Sequence, residues 1–209
     1  MLMSLAKRTL AVPIVFETYQ TLVGAPGCHR RFIREYVEPR AGETILDVGC
    51  GTGASLAFLP KPNRYTGVDI DEAYIARARA QHGHEGSFFA ADATVSIPQF
   101  AGPFDRVFAF GVLHHLSDHQ VAGLIGNLAT WLKPGGSFTS IDPCFISPQN
   151  AIAGFLIRHD RGQFVRTPEA LNGLFAGSFA GDAEVVTDML RVPYSQVILR
   201  LTLLPAASA

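Results

Sequence analysis

Cysteine is scarce in this 209-residue chain: Cys28, Cys50 and Cys144 are the three present, and they lie far apart. An odd number at such spacings builds neither a disulfide framework nor a CxxC pair, so the expected setting is a reducing one, the cytoplasm. Net charge is lacking too. Lys and Arg total 17 against 18 Asp and Glu, a formal net charge of −1, which leaves no basic footprint for a nucleic-acid backbone. No apolar run approaches the ~20 residues a membrane-spanning helix needs, so no integral membrane span is expected. Lys7 and Arg8 precede a short apolar stretch at residues 9–16, the outline of a secretory signal. Pro13 breaks that stretch, Glu17 closes it, and no small-residue cleavage site follows cleanly, so no leader is expected. HxxxH, CxxC and paired-carboxylate spacings are missing, and no metal is expected. His29 and His119 read as surface groups, while His82 and His84 flank Gly83 as in a turn.

What is present is apolar and patterned. Hydrophobic residues make up 48% and charged residues 17%, a globular composition with length enough for one domain, or one domain plus a cap. Residues 14–37 read as one or two helices interrupted near Gly24–Gly27, with Phe32, Ile33, Tyr36 and Val37 at helical spacing. From residue 43 the pattern alternates. Strands are predicted at 44–48, 64–70, 87–91, 104–110 and 137–141, and helices at 54–59, 73–81 and 117–132. Asp71 and Ser117 are placed as helix caps. Alternation of this kind predicts a parallel sheet with helices on both faces. The last third differs: a helix at 149–158, another starting at Thr167-Pro168, then two strand-like runs, 184–191 and 195–203. Their short connection through Val192-Pro193-Tyr194 requires an antiparallel pair. The division expected is an N-terminal helical cap, 1–42, on a single domain, 43–209.

A strand, then Gly49-Cys50-Gly51-Thr52-Gly53, then a helix makes a nucleotide-binding corner, where glycines let the backbone approach a ligand. Gly49, Gly51 and Ala54 also satisfy the dinucleotide pattern, with Asp69 near the distance required for a ribose contact. Three features weigh against the dinucleotide. Asp47 ends the strand beneath the loop, where it would repel a pyrophosphate but could orient the loop amides and the ammonium of an amino-acid cofactor. Gly53 tightens the helix entry. The chain closes in a hairpin instead of a second βαβαβ half.

As a set, the residues resemble the class I S-adenosylmethionine-dependent methyltransferases. Ile45-Leu46-Asp47-Val48-Gly49-Cys50-Gly51-Thr52-Gly53 resembles their first motif, and Gly67-Val68-Asp69-Ile70-Asp71 their second. Ala91-Asp92-Ala93, then Phe104-Asp105-Arg106-Val107 leading to Leu113-His114-His115-Leu116, and Leu132-Lys133-Pro134-Gly135-Gly136-Ser137 resemble those that follow. Residues 158–169 and 191–199 resemble a bacterial small-molecule subgroup. The resemblance implies an α/β fold: a three-layer Rossmann-like sandwich, its seven-stranded sheet mostly parallel with an antiparallel last strand, under the helical cap. It implies S-adenosyl-L-methionine as cofactor and S-adenosyl-L-homocysteine as product. Asp47 and Gly49 would line the methionine moiety, and Cys50, Gly51 and Gly53 of the same loop would also bind the cofactor. Asp69 would accept from the ribose hydroxyls and Ile70 would pack on the adenine. Asp92 and Ala93 would meet the adenine edge, with Phe110 and Gly111 under the cofactor.

The expected reaction is methyl transfer to a small-molecule acceptor, apolar or aromatic, at oxygen. The alternatives are an NAD(P)-dependent oxidoreductase and a non-catalytic cofactor-binding partner. Candidate general bases are His114, His115 and His159. The adjacent pair follows the fourth strand, at the carboxyl edge where such sheets bind ligands, and at most one of two neighbours faces the substrate. His159 lies in Arg158-His159-Asp160-Arg161, a segment placed to close over the site. Asp142 ends the fifth strand, lining the pocket or capping a turn. Phe16, Tyr19, Phe145, Phe155 and Phe164 would make an apolar chamber.

Overall fold

The computed structural model describes residues 24–95, 102–160 and 162–204. Helix α1 (Ala25–Phe32) opens at Gly24, which sits at φ 87°, with a proline in the first turn. The glycine–proline stretch expected to interrupt a helix therefore starts one, because Pro is tolerated only where an amide needs no partner. A π-helical turn, Ile33–Val37, continues α1 and ends at Glu38. Phe32, Ile33 and Val37 are buried, as their spacing predicts. The expected helical residues before Gly24, Phe16 and Tyr19 among them, lie outside the described residues.

The sheet follows. Strand β1 is Thr44–Val48, β2 Arg64–Asp69, β3 Gly86–Ala90, β4 Phe104–Phe110, β5 Leu132–Pro143, β6 Phe179–Val186 and β7 Gln196–Leu203. Their order is β3-β2-β1-β4-β5-β7-β6. All neighbours pair in parallel except β7, which is antiparallel to both β5 and β6. The seven-stranded sheet with a reversed last strand is thus as expected. Between β1 and β2 runs a short 3₁₀ turn, Ala54–Phe58, where the sequence suggests a helix; Pro60 and Pro62 leave no room for one. Helix α2 (Glu72–His82) is capped by Asp71, whose Oδ1 accepts from the amides of Ala73 at 2.8 Å and Tyr74 at 3.2 Å. Helix α3 (Asp118–Trp131) begins in a capping box between Ser117 and Gln120. Helices α4 (Ala151–Arg158) and α5 (Pro168–Phe175) start at Asn150 and Thr167.

Strand β6 lies upstream of its predicted position. It is the sheet's edge, paired on one side only and largely exposed, so apolar residues are few along it. Val186, Met189 and Leu190 drew the sequence reading downstream; the last two do pack on the core, but from the turn that follows.

Apolar side chains fill both faces. Val48, Val107, Ala109 and Phe138 pack under Leu124, Leu128, Leu171 and Phe175 of α3 and α5. Ile45, Phe108, Ile141 and Ile198 pack under Phe32, Ile33, Ile75 and Ala78 of α1, the π turn and α2. At about 1.5–3 kcal/mol for each large apolar side chain buried, these two layers hold the sheet. The winding reverses between β1 and β4, which places a crevice at their carboxyl ends.

Candidate cofactor and acceptor site

The glycine loop leaves β1 at that crevice. Gly49, Gly51 and Gly53 all hold positive φ, at 73°, 53° and 83°. A Cβ on Gly49 would collide with the Val112 side chain, whereas one on Gly51 would meet nothing within 4 Å. The loop is therefore braced from below and open above. Its amides are largely spent. Gly49 and Cys50 donate to the Val68 carbonyl at 2.8 and 3.0 Å, Gly53 donates to Cys50 at 2.9 Å, and Gly51 donates to Asp69 Oδ2 at 2.8 Å. A phosphate cradle needs free amides at such a turn. Cys50 contributes backbone here; its side chain is buried in the core, and burial pushes its thiol up.

Two carboxylates border the loop. Asp69, at the end of β2, accepts from Gly51 on Oδ2 and from Asp71 on Oδ1 at 2.9 Å, with lone pairs left for a diol. Ile70 beside it is 73% exposed. Asp47 is buried at the end of β1. The sequence reading aims it at the loop amides; instead its Oδ2 accepts from Ser55 Oγ at 2.5 Å and Tyr65 Oη at 2.7 Å. Burial pushes the carboxyl up to about 7 despite these donors. Its Oδ1 has no partner among the described residues, and the sealed, unpartnered side-chain atoms are Ser140 Oγ and Asp142 Oδ2. Asp47 Oδ1 therefore touches solvent.

The remaining expected contacts ring the same edge. Asp92 Oδ1 accepts from the amide and hydroxyl of Thr94 at 2.8 and 2.7 Å, and the Ala93 carbonyl accepts from Asn127 Nδ2 at 2.9 Å. The Ala91 amide donates to the Asp69 carbonyl at 2.9 Å, joining this turn to β2. Phe110 ends β4 half-buried, and Gly111 follows at φ 69°.

His29 is not the surface group its sequence suggests. Its Nε2 lies 3.0 Å from Ser55 Oγ, and its ring stacks on Phe110, 4.2 Å between centroids and 21° between planes. Burial lowers its pKa to about 4, so it is neutral at physiological pH. A signal was available: one helical turn before Phe32 and Ile33 lie Cys28 and His29, on the same buried stripe.

The three candidate bases fare differently. His114 is buried in the turn Leu113–His115. Its Nδ1 lies 2.9 Å from Asp142 Oδ1 and its Nε2 3.3 Å from Asp160 Oδ1, and its amide donates to Asp142 Oδ1 at 3.1 Å. Burial alone would lower its pKa, but the two carboxylates outweigh this and raise it to about 9. An imidazolium has no lone pair to accept a proton. Instead His114 ties β5 to the segment after α4. Asp160 also accepts from the Gly162 amide at 3.0 Å and Tyr194 Oη at 2.9 Å. Phe164 donates its amide to the His114 carbonyl at 2.9 Å, and a Cβ on Gly162 would strike the His114 ring. His115 is exposed, its ring 4.1 Å from that of His114. His159 caps α4, Nδ1 2.7 Å from the Phe155 carbonyl, and is exposed. Phe155 and Phe164 are 58% and 38% exposed, and Phe145 is half-buried, so these three do not form a closed chamber. Arg161 lies outside the described residues. Among the described residues no group of three metal-ligating side chains occurs, and no helix is long and apolar enough to cross a membrane.

Residues 45–136 match the family model described as a methyltransferase domain. The chain is 35% identical over 124 residues to an O-methyltransferase of Penicillium expansum, 54% of this chain and 44% of that protein. It spans less than half the length of several curated relatives. Among solved structures, the mitomycin 7-O-methyltransferase MmcR shares the fold with a TM-score of 0.69 at 17% identity, over 86% of this chain and 54% of that one. The N-methyltransferase NodS from Bradyrhizobium japonicum, in complex with S-adenosyl-L-homocysteine, aligns with a TM-score of 0.62 at 20% identity, over 83% and 84%. The open ledge at Gly51, the exposed Ile70 and the carboxylates at the ends of β1 and β2 fit the cofactor of that family. With its motifs on a sheet of this order, the chain is similar over residues 45–136 to the class I S-adenosylmethionine-dependent methyltransferases.

Proposed function

We propose that this chain transfers a methyl group from S-adenosyl-L-methionine to a small-molecule acceptor, at oxygen, by in-line displacement. The observation that carries this is the glycine loop itself. Its amides at Gly49, Cys50, Gly51 and Gly53 are already bonded within the protein. Its neighbours are carboxylates, Asp47 and Asp69, which suit ammonium and diol donors and repel a pyrophosphate. Asp47 Oδ1 would take the ammonium, Asp69 the ribose, Ile70 the adenine face, and Asp92 with the Ala93 amide the adenine edge. Phe110 and Gly111 would form the floor.

The bound cofactor supplies an electrophilic methyl group. The protein's share is to hold the acceptor in line with it, an effect worth about 7–11 kcal/mol when the geometry is good. Oxygen as acceptor atom is supported by relatives such as the Penicillium O-methyltransferase. A small acceptor is supported by the balanced charge of the chain. Of the candidate bases, His115 stands on the exposed side of its turn, whereas His114 is held between two carboxylates.

Calorimetry with S-adenosyl-L-homocysteine, NAD and NADP tests the reading. Binding of the first alone is expected; binding of either dinucleotide instead would overturn it. Incubation with labelled cofactor and a small-molecule extract should then yield a labelled product. Cofactor binding without turnover on any extract would mark a non-catalytic partner.

A further inference from the structure

We propose that His29 is the acceptor-contacting group of this cleft, its Nδ1 lone pair receiving a hydrogen bond from a hydroxyl-bearing acceptor laid beside Phe110. The inference rests on the methyl-transfer reading above and adds the residue that would select the acceptor. A histidine serving only the core satisfies both ring nitrogens. His29 satisfies one. Its Nε2 pairs with Ser55 Oγ at 3.0 Å, while Nδ1 has no partner among the described residues and is not among the sealed side-chain atoms, so it reaches solvent.

The tautomer follows from the chain of bonds behind it. Ser55 has one hydroxyl hydrogen, and with Asp47 ionised that hydrogen points at Oδ2, 2.5 Å away. Tyr65 donates to the same oxygen at 2.7 Å. Ser55 Oγ can then only accept from His29, which puts the ring hydrogen on Nε2 and leaves Nδ1 bare. Burial keeps the ring neutral through the physiological range. The ring's position is fixed by its stack on Phe110, at the end of β4, with Phe58 on its other flank, 5.5 Å away. A neutral acceptor nitrogen is thus held where the substrate would lie next to the cofactor floor.

The chemistry has a direction. A hydroxyl acceptor brings the hydrogen that Nδ1 lacks. The methyl ether formed from it has none, so the site would prefer substrate to product. The same argument excludes acceptors without an O–H or N–H.

The test is nitrogen NMR on the full chain with labelled histidine, saturated with S-adenosyl-L-homocysteine. At about pH 8.5, where Asp47 is ionised, His29 is expected in the Nε2–H tautomer, its ring should stay unprotonated down to about pH 5.5, and Ser55→Ala should abolish the tautomer preference. Phenol at millimolar concentration should move the Nδ1 resonance, and anisole, which has no hydrogen to donate, should not. A His29 ring in the Nδ1–H form, a midpoint near the ordinary value of about 6.5, or equal responses to phenol and anisole would overturn the proposal alone. Failure of the wild-type chain to bind S-adenosyl-L-homocysteine would instead overturn the methyl-transfer reading, and this inference with it.

Discussion

Two histidines stand on opposite faces of one sheet edge, each near a carboxylate and a tyrosine. His29 has Asp47 and Tyr65 behind it on the face covered by α1 and α2. His114 has Asp142, Asp160 and Tyr194 on the face covered by α3 and α5. The ingredients match and the protonation states do not: burial takes His29 down to about 4, while His114, against its own burial, is carried up to about 9 by its carboxylates. The difference is one hydroxyl. Ser55 stands between His29 and Asp47, so no carboxylate touches the ring and desolvation wins. At His114 two carboxylate oxygens lie 2.9 and 3.3 Å from the ring nitrogens. At about 3 Å and an effective dielectric near 20, each such contact attracts by about 5 kcal/mol. Residue type does not set a histidine's chemistry here; the atom it touches does.

Removing a carboxylate from the second cluster should give the largest effect. Asp142→Asn leaves a buried imidazolium without its closest counterion, and a loss of about 3–5 kcal/mol in chemical denaturation is expected. A loss under about 1 kcal/mol would mean that His114 is not charged, and the contrast with His29 would collapse. The pH dependence probes the same contrast without a mutation. The folded pKa of His114, about 9, lies above its ordinary value of about 6.5. The stability this confers is complete below the lower value and lost as pH climbs through the higher one, on the order of 3 kcal/mol. Urea midpoints should therefore fall between about pH 7 and 8.5, and His114→Gln should flatten that stretch. On the acid side the signs oppose. His29, lowered to about 4, loses stability as pH falls below its ordinary value, whereas Asp47, raised to about 7, loses it as pH rises toward 7. Between about pH 7 and 8.5 the alkaline side belongs to His114; above that the buried thiols of Cys28, Cys50 and Cys144, pushed up by burial, lose stability as well.

The sheet was legible in the sequence because the central strands β1, β4 and β5 carry buried apolar runs between turn residues, and the caps at Asp71 and Ser117 because capping uses short polar side chains at fixed offsets. Strand β6 was misplaced since an exposed edge has little apolar pattern to read. The ends of β1 to β4 announce themselves by glycines and acids in motif order. The two histidine clusters do not. His29 meets Ser55 across 26 residues and His114 meets Asp142 across 28, and no local period encodes either pairing. Whether a serine hydroxyl or a carboxylate faces a ring is decided by tertiary packing, and the proton follows.

The glycine loop beside the first cluster is broken more gently. Asp69 accepts from the Gly51 and Asp71 amides, so Asp69→Ala removes both a ribose acceptor and a brace of the loop. Affinity for S-adenosyl-L-homocysteine should weaken by about 1–3 kcal/mol in calorimetry. A change under about twofold would take Asp69 out of the site.

Tyr65→Phe is the smallest and sharpest cut. The ring stays, and with it the contact to Phe88 at 5.6 Å; only the hydroxyl donor to Asp47 goes. Stability should fall by about 1 kcal/mol, the net worth of one hydrogen bond. The more telling consequence is electrostatic. Burial already holds Asp47 near 7, and the Tyr65 hydrogen bond is among the influences that keep it from rising further. A carboxyl raised by one more pKa unit would be only roughly one-tenth ionised at pH 7, where about half is ionised now, a fall of roughly fivefold. If Asp47 serves a cationic ammonium, the variant should bind S-adenosyl-L-homocysteine several-fold more weakly at pH 7 and regain most of that affinity at pH 8.5. Equal affinity at both pH values would mean that the charge on Asp47 never reaches the ligand. Its two hydroxyl partners would then be the whole of its work, and the serine between it and His29 would be a brace in place of a switch.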